Sequence, residues 1–147
     1  MLRYPYWEHL SVISAITPEG KLYTMKQGRA FNSSDIVRFL NHLLRHISGK
    51  LLVIWDGLPA HRSKEVRGFL REGATRRVHL EQLPGYAPEL NPAEGVWQYL
   101  KHVELKNLCC HNLRELRDEL RKAIERIRHK TDIIQSFTHQ ALGHASV

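Results

Sequence analysis

The sequence predicts a mixed α/β fold in a single domain, residues 1–147, and three observations carry that prediction. Leu51-Leu52-Val53-Ile54-Trp55 is a short apolar run with no alternation, the pattern of a strand buried on both faces of a sheet. Helical periodicity precedes and follows it, so strands and helices alternate along the chain. From Asn112 onward the pattern is amphipathic with a period near 3.6, which adds helices at the end.

The elements follow in order. Leu10 to Ile16 reads as a strand, Thr17-Pro18-Glu19-Gly20 as a turn, and Lys21 to Lys26 as the returning strand of a hairpin. Ser33 or Ser34 followed by Asp35 marks a helix start, with the carboxylate near the positive end of the dipole. Ile36, Val37, Leu40, Leu43, Leu44 and Ile47 then repeat at helical spacing, and Gly49 ends the helix. After the apolar strand come a Gly57/Pro59 loop, a helix from Ser63 to Glu72 and a strand from Val78 to Leu83. A Pro- and Gly-bearing loop, residues 84–90, leads to a helix opened by Asn91 as cap and Pro92 as first helical residue. Asn112 caps a long helix with Leu113, Leu116, Leu120, Ala123, Ile124 and Ile127 on one face, and Asp132 to Leu142 forms a last helix.

Composition narrows the partners. A formal charge of +7 and a pI near 9.7 favour polyanions, nucleic acid first among them. The longest apolar run is far shorter than the ~20 residues of a membrane span, and no signal peptide is expected at the start. The two cysteines, Cys109 and Cys110, are adjacent and form no disulfide framework, which fits a cytoplasmic protein. Their spacing, with His102 and His111 nearby, also lacks the usual zinc pattern.

Two carboxylates stand where chemistry gathers in open α/β sheets, at the carboxyl ends of strands. Asp56 follows the apolar strand, and Glu94 lies on the first turn of the helix after the next strand. Two carboxylates delivered to one sheet edge suit a hard divalent cation. Each has a structural reading as well: Asp56 as a turn former, and Glu94 as the partner of Asn91 in a capping box.

The wording around them decides between these readings. Trp55-Asp56-Gly57-Leu58-Pro59-Ala60-His61-Arg62-Ser63 resembles the second-aspartate motif of mariner-like and 630-type insertion-sequence transposases of the DDE superfamily. Leu83-Pro84-Gly85-Tyr86-Ala87-Pro88-Glu89-Leu90-Asn91-Pro92-Ala93-Glu94-Gly95-Val96-Trp97 resembles that family's third motif. The resemblance implies a ribonuclease-H-like mixed sheet flanked by helices, two Mg²⁺ or Mn²⁺ ions, and metal-dependent DNA strand cleavage and transfer. It makes Asp56 and Glu94 catalytic metal ligands. His61, Arg62, Lys64, Arg67, Tyr86 and Asn91 form the expected DNA-facing set. Ordinary alternatives stand beside these: a satisfied loop residue for His61, and a solvated helix face for the basic residues from Arg62 to Arg77. Trp97 reads as a core residue.

The sequence departs from the family at its front. The family's first catalytic Asp lies on a central strand upstream of the hairpin, and no Asp precedes Asp35 here. Four expectations follow: the central strand is lacking, one edge of Leu51–Trp55 is unpaired, metal binding is weak, and the chain alone performs little or no strand transfer. Pairing with a second copy, or with a separately supplied N-terminal half, would cover that edge. A non-catalytic DNA-binding or dimerisation module regulating an intact transposase is the rival from another functional class. A recruited nuclease for branched DNA is a third.

Overall fold

The computed structural model describes residues 11–55, 63–72, 76–83, 90–106 and 108–145. These carry strands β1 (Ser11–Ile16), β2 (Leu22–Gln27), β3 (Leu51–Trp55) and β4 (Val78–Gln82). The helices are α1 (Ser33–His46), α2 (Lys64–Arg71), α3 (Pro92–Tyr99), α4 (Leu113–Arg128) and α5 (Thr131–Ala145), and a π-helical turn, Leu100–Glu104, extends α3. The expected order of elements is present, and the chain gathers into two compact units, residues 1–30 with 92–147 and residues 31–91.

In the first unit β1 and β2 pair antiparallel, Ser11 opposite Gln27 and Ile16 opposite Leu22. Their turn closes with Gly20 N–H donating to the Thr17 carbonyl at 2.9 Å and Lys21 N–H donating to Thr17 Oγ1 at 3.1 Å. Gly20 adopts φ +91°, and a Cβ there would lie 2.7 Å from the Thr131 carbonyl oxygen, so both conformation and space demand glycine. Leu22, Val96, Leu100, Leu105, Leu116, Leu120, Ala123, Ile124, Ile127 and Ile134 form the core of this unit. The predicted apolar face of α4 is therefore the buried one, while the side chain of Leu113 lies outside the described residues. Trp97 packs against the same core.

The second unit holds α1, β3, α2 and β4. The cap of α1 is Asn32, one residue before the expected serines. Asp35 N–H donates to Asn32 Oδ1 at 3.0 Å and Asn32 N–H donates to Asp35 Oδ2 at 2.9 Å, a reciprocal capping box. A cap is chosen by which side chain reaches the third helical N–H, and Asn32 is the residue three before Asp35. The Asp35 side chain is thereby buried.

Strands β3 and β4 run parallel, with Leu51 beside Val78 and Trp55 beside Gln82. The expectation that β3 is buried on both faces is corrected. Leu51, Val53 and Trp55 are half-buried, whereas Leu52 and Ile54 are 62% and 57% exposed. Among the described residues β3 and β4 form a two-stranded sheet separate from β1–β2. An apolar run reports that a second layer would be favourable, not that one is present.

Candidate functional site

Glu94 occupies the first turn of α3 and is half-buried. Pro92 opens that helix, its preset φ and absent N–H suiting the first position. The N-terminal end of a helix favours a carboxylate electrostatically, which suits an acidic residue at this position.

Two devices fix α3. Gly95, next to Glu94, faces the ring of Phe137 on α5, and a Cβ there would fall 2.6 Å from Phe137 Cγ and Cδ1. At the other end the π-helical turn closes with Leu105 N–H donating to the Leu100 carbonyl at 2.8 Å. Glu104, last in that turn, accepts from Arg126 Nε at 2.6 Å and from Lys130 Nζ at 2.5 Å. Lys130 Nζ also donates to Tyr99 Oη at 3.0 Å and stands 5.2 Å above the Tyr99 ring. Burial pushes the Glu104 carboxyl up, but the hydrogen bonds and charges of Arg126 and Lys130 outweigh it and hold the group below its ordinary value. The same contact with Glu104, followed by Tyr99, raises the Lys130 ammonium.

Asp56 directly follows the last residue of β3, and it lies outside the described residues together with His61, Arg62 and Tyr86. Lys64 and Arg67 are exposed on α2, whose cap is Ser63, its Oγ accepting from Val66 N–H at 3.3 Å. Asn91 immediately precedes Pro92, where α3 begins. Arg77, within the basic stretch, points inward instead of toward a partner. Its guanidinium donates to the carbonyls of Gly49 at 3.0 Å, Leu44 at 3.1 Å and Ile47 at 2.6 Å, satisfying the end of α1.

Among the described residues no three His, Cys, Asp or Glu side chains converge on a metal position. His102 Nε2 sits 3.1 Å from Gln98 Oε1, Cys109 is exposed, and burial followed by Glu115 and Glu119 raises the Cys110 thiol. No described helix is long and apolar enough to cross a membrane. Sequence reasoning missed Phe137, Glu104 and Arg77. A glycine inside a helical pattern was the one available signal, since it marks a close approach of another element.

The sequence profile of the DDE superfamily endonucleases matches residues 2–117, and the chain belongs to that family. Solved structures agree on the fold. The Mos1 transposase catalytic domain with raltegravir and Mn is similar at TM-score 0.63 and 14% identity, over 88% of this chain and 70% of that one. The Mos1 mariner transposase catalytic domain gives TM-score 0.59 and 16% identity, over 88% and 72%. The Mos1 strand transfer complex gives TM-score 0.71 and 15% identity, over 96% of this chain and 42% of that one. The fold is therefore the ribonuclease-H-like α/β architecture. A comparison with curated proteins found no match.

Proposed function

We propose that this chain is catalytic-domain sequence of a mariner-type DNA transposase, with Asp56 and Glu94 as two of the three carboxylates of its metal site. One observation carries the reading: the family match spans both carboxylate motifs, and Glu94 stands on the first turn of the helix that follows β4. The donor chemistry fits Mg²⁺ or Mn²⁺, because carboxylate oxygens are the ligands hard divalent cations take. When bound, such ions lower the charge on the scissile phosphodiester and favour ionisation of the attacking water or 3′-hydroxyl. The chain's own contribution is to present Glu94 on a helix clamped at both ends and Asp56 directly after a parallel strand.

Asp35 does not serve as the third carboxylate in this reading, because it is buried in the α1 capping box. Asp56 and Glu94 are then two ligands of an incomplete set, with no Asp upstream of Asp35 to supply the third. That reading makes the isolated chain a weak metal binder without strand-transfer activity, and it places its work in the cytoplasm, on DNA. Calorimetric titration with Mn²⁺ tests it: weak binding lost in both Asp56→Ala and Glu94→Ala is expected. Binding unchanged in both variants, or Mn²⁺-dependent strand transfer by the chain alone, would overturn it.

The exposed pair Leu52 and Ile54 favours a second reading, an association module that pairs with another copy or with an intact relative. Sedimentation of Leu52→Lys/Ile54→Lys beside the unmodified chain separates the two, since only the module loses self-association.

A further inference from the structure

The first unit carries a cluster of cations that the carboxylate site does not use. Arg114, Arg117, Arg121 and Arg128 of α4 fall within a band of about 60° when residues are placed at 3.6 per turn. That band borders the apolar face of the helix on the side that meets β2, where Arg128 Nε donates to the Leu22 carbonyl at 3.3 Å. Leu22 belongs to the core, and Lys26, four residues on, lies on the same side of the strand. Lys26 is half-buried, Arg117 and Arg121 are exposed, and Arg128 stands at the C-terminal end of the same band. Burial lowers the Lys26 ammonium, Arg121, Arg128 and Arg117 lower it further, and Glu125 opposes them. Glu125 is itself engaged by Arg128. Among the described residues no acid pairs with Lys26, Arg117 or Arg121.

A basic helix stripe alone is commonly just solvated. Here a lysine from a different element converges on it and is partly withdrawn from water, so the fold maintains mutual repulsion that an external polyanion would relieve. The chain's net charge of +7 adds long-range attraction for the same partner.

We propose that Lys26, Arg117, Arg121 and Arg128 form a second nucleic-acid surface, on the β2–α4 face, that holds the phosphate backbone of duplex DNA. The assignment rests on the DNA-processing reading for its partner but needs neither Asp56 nor Glu94. It would position a duplex without reading its sequence.

Fluorescence anisotropy with a labelled duplex in EDTA tests it across a salt series. Lys26→Ala/Arg117→Ala/Arg121→Ala should weaken binding and flatten the log–log salt slope by about 2–3, near 0.9 for each phosphate no longer neutralised. Lys26→Arg/Arg117→Lys/Arg121→Lys should keep the slope, because charge and not shape is being read. Asp56→Ala/Glu94→Ala should lose none of the salt-dependent binding, because a carboxylate neutralises no phosphate, which separates this surface from the metal site. An unchanged slope in the alanine variant, no salt-dependent binding by the unmodified chain, or equal displacement by poly-glutamate would each overturn the proposal.

Discussion

The ring of Phe137 rests against the backbone of Gly95, so closely that a Cβ on residue 95 would come within 2.6 Å of two ring carbons. Two opposed effects follow for Gly95→Ala. Alanine favours a helix interior by about 0.8–1.0 kcal/mol over glycine, whereas overpacking costs about 1–3 kcal/mol. The clash, at the close end for a Cβ contact, wins, and chemical denaturation should show a net loss of about 1–2 kcal/mol. In a Phe137→Ala background the sign should reverse, because the space is then open and only the propensity gain remains. Destabilisation of equal size in both backgrounds would refute the steric clash as the cause.

Glu104 makes a pH-dependent prediction. Its carboxyl is held below its ordinary value, so its stabilisation is fully present above the unfolded-state pKa of ~4.3. That stabilisation is lost as pH falls through the folded-state value. Lys130 is shifted the opposite way, so its contribution is full below its unfolded-state value and is lost only as alkaline pH passes its raised one. Glu104→Gln should therefore lower stability at pH 7 by about 1.5–3 kcal/mol, the range for hydrogen bonds to charged groups. The gap to the unmodified chain should close progressively below about pH 4.3 in urea melts. A gap independent of pH would remove the charge from the explanation.

Arg77 separates a structural cation from a DNA-facing one. Arg77→Ala leaves the carbonyls of Leu44, Ile47 and Gly49 without their donor and should cost about 2–3 kcal/mol in urea unfolding. Arg77→Lys should recover only part, because a compact ammonium cannot span three acceptors as a planar fork does. The salt slope of DNA binding should be unchanged in either variant, and a flatter slope would return Arg77 to the phosphate-binding set.

Local patterns carried most of the architecture. The hairpin was legible because Gly20 sits where the turn needs a positive φ, and α4 because its apolar face repeats at helical spacing. For Glu94 position alone serves a helix cap as well as a ligand, and only the surrounding motif favours the ligand reading. What escaped was everything made between distant segments. Nothing near Arg77 reveals three carbonyls at the end of α1, and nothing near Glu104 reveals Arg126 and Lys130. The exposure of Leu52 and Ile54 escaped for a related reason, because composition describes a strand's appetite for cover and only tertiary structure supplies it.

The π-helical turn from Leu100 to Glu104 adds a counting constraint to the third motif. Each residue in a helix turns the chain by about 100°, so a wide turn works as an inserted phase step between Glu94 and everything that follows. Deleting one residue there would restore a regular α-helix while rotating Glu104 away from Arg126 and Lys130. The spacing between the carboxylate motif and α4 is thus a fixed phase and not a free tether. Sequences joined to this one by recombination within residues 95–104 would keep the Glu104 clamp on α3 only if they kept that count.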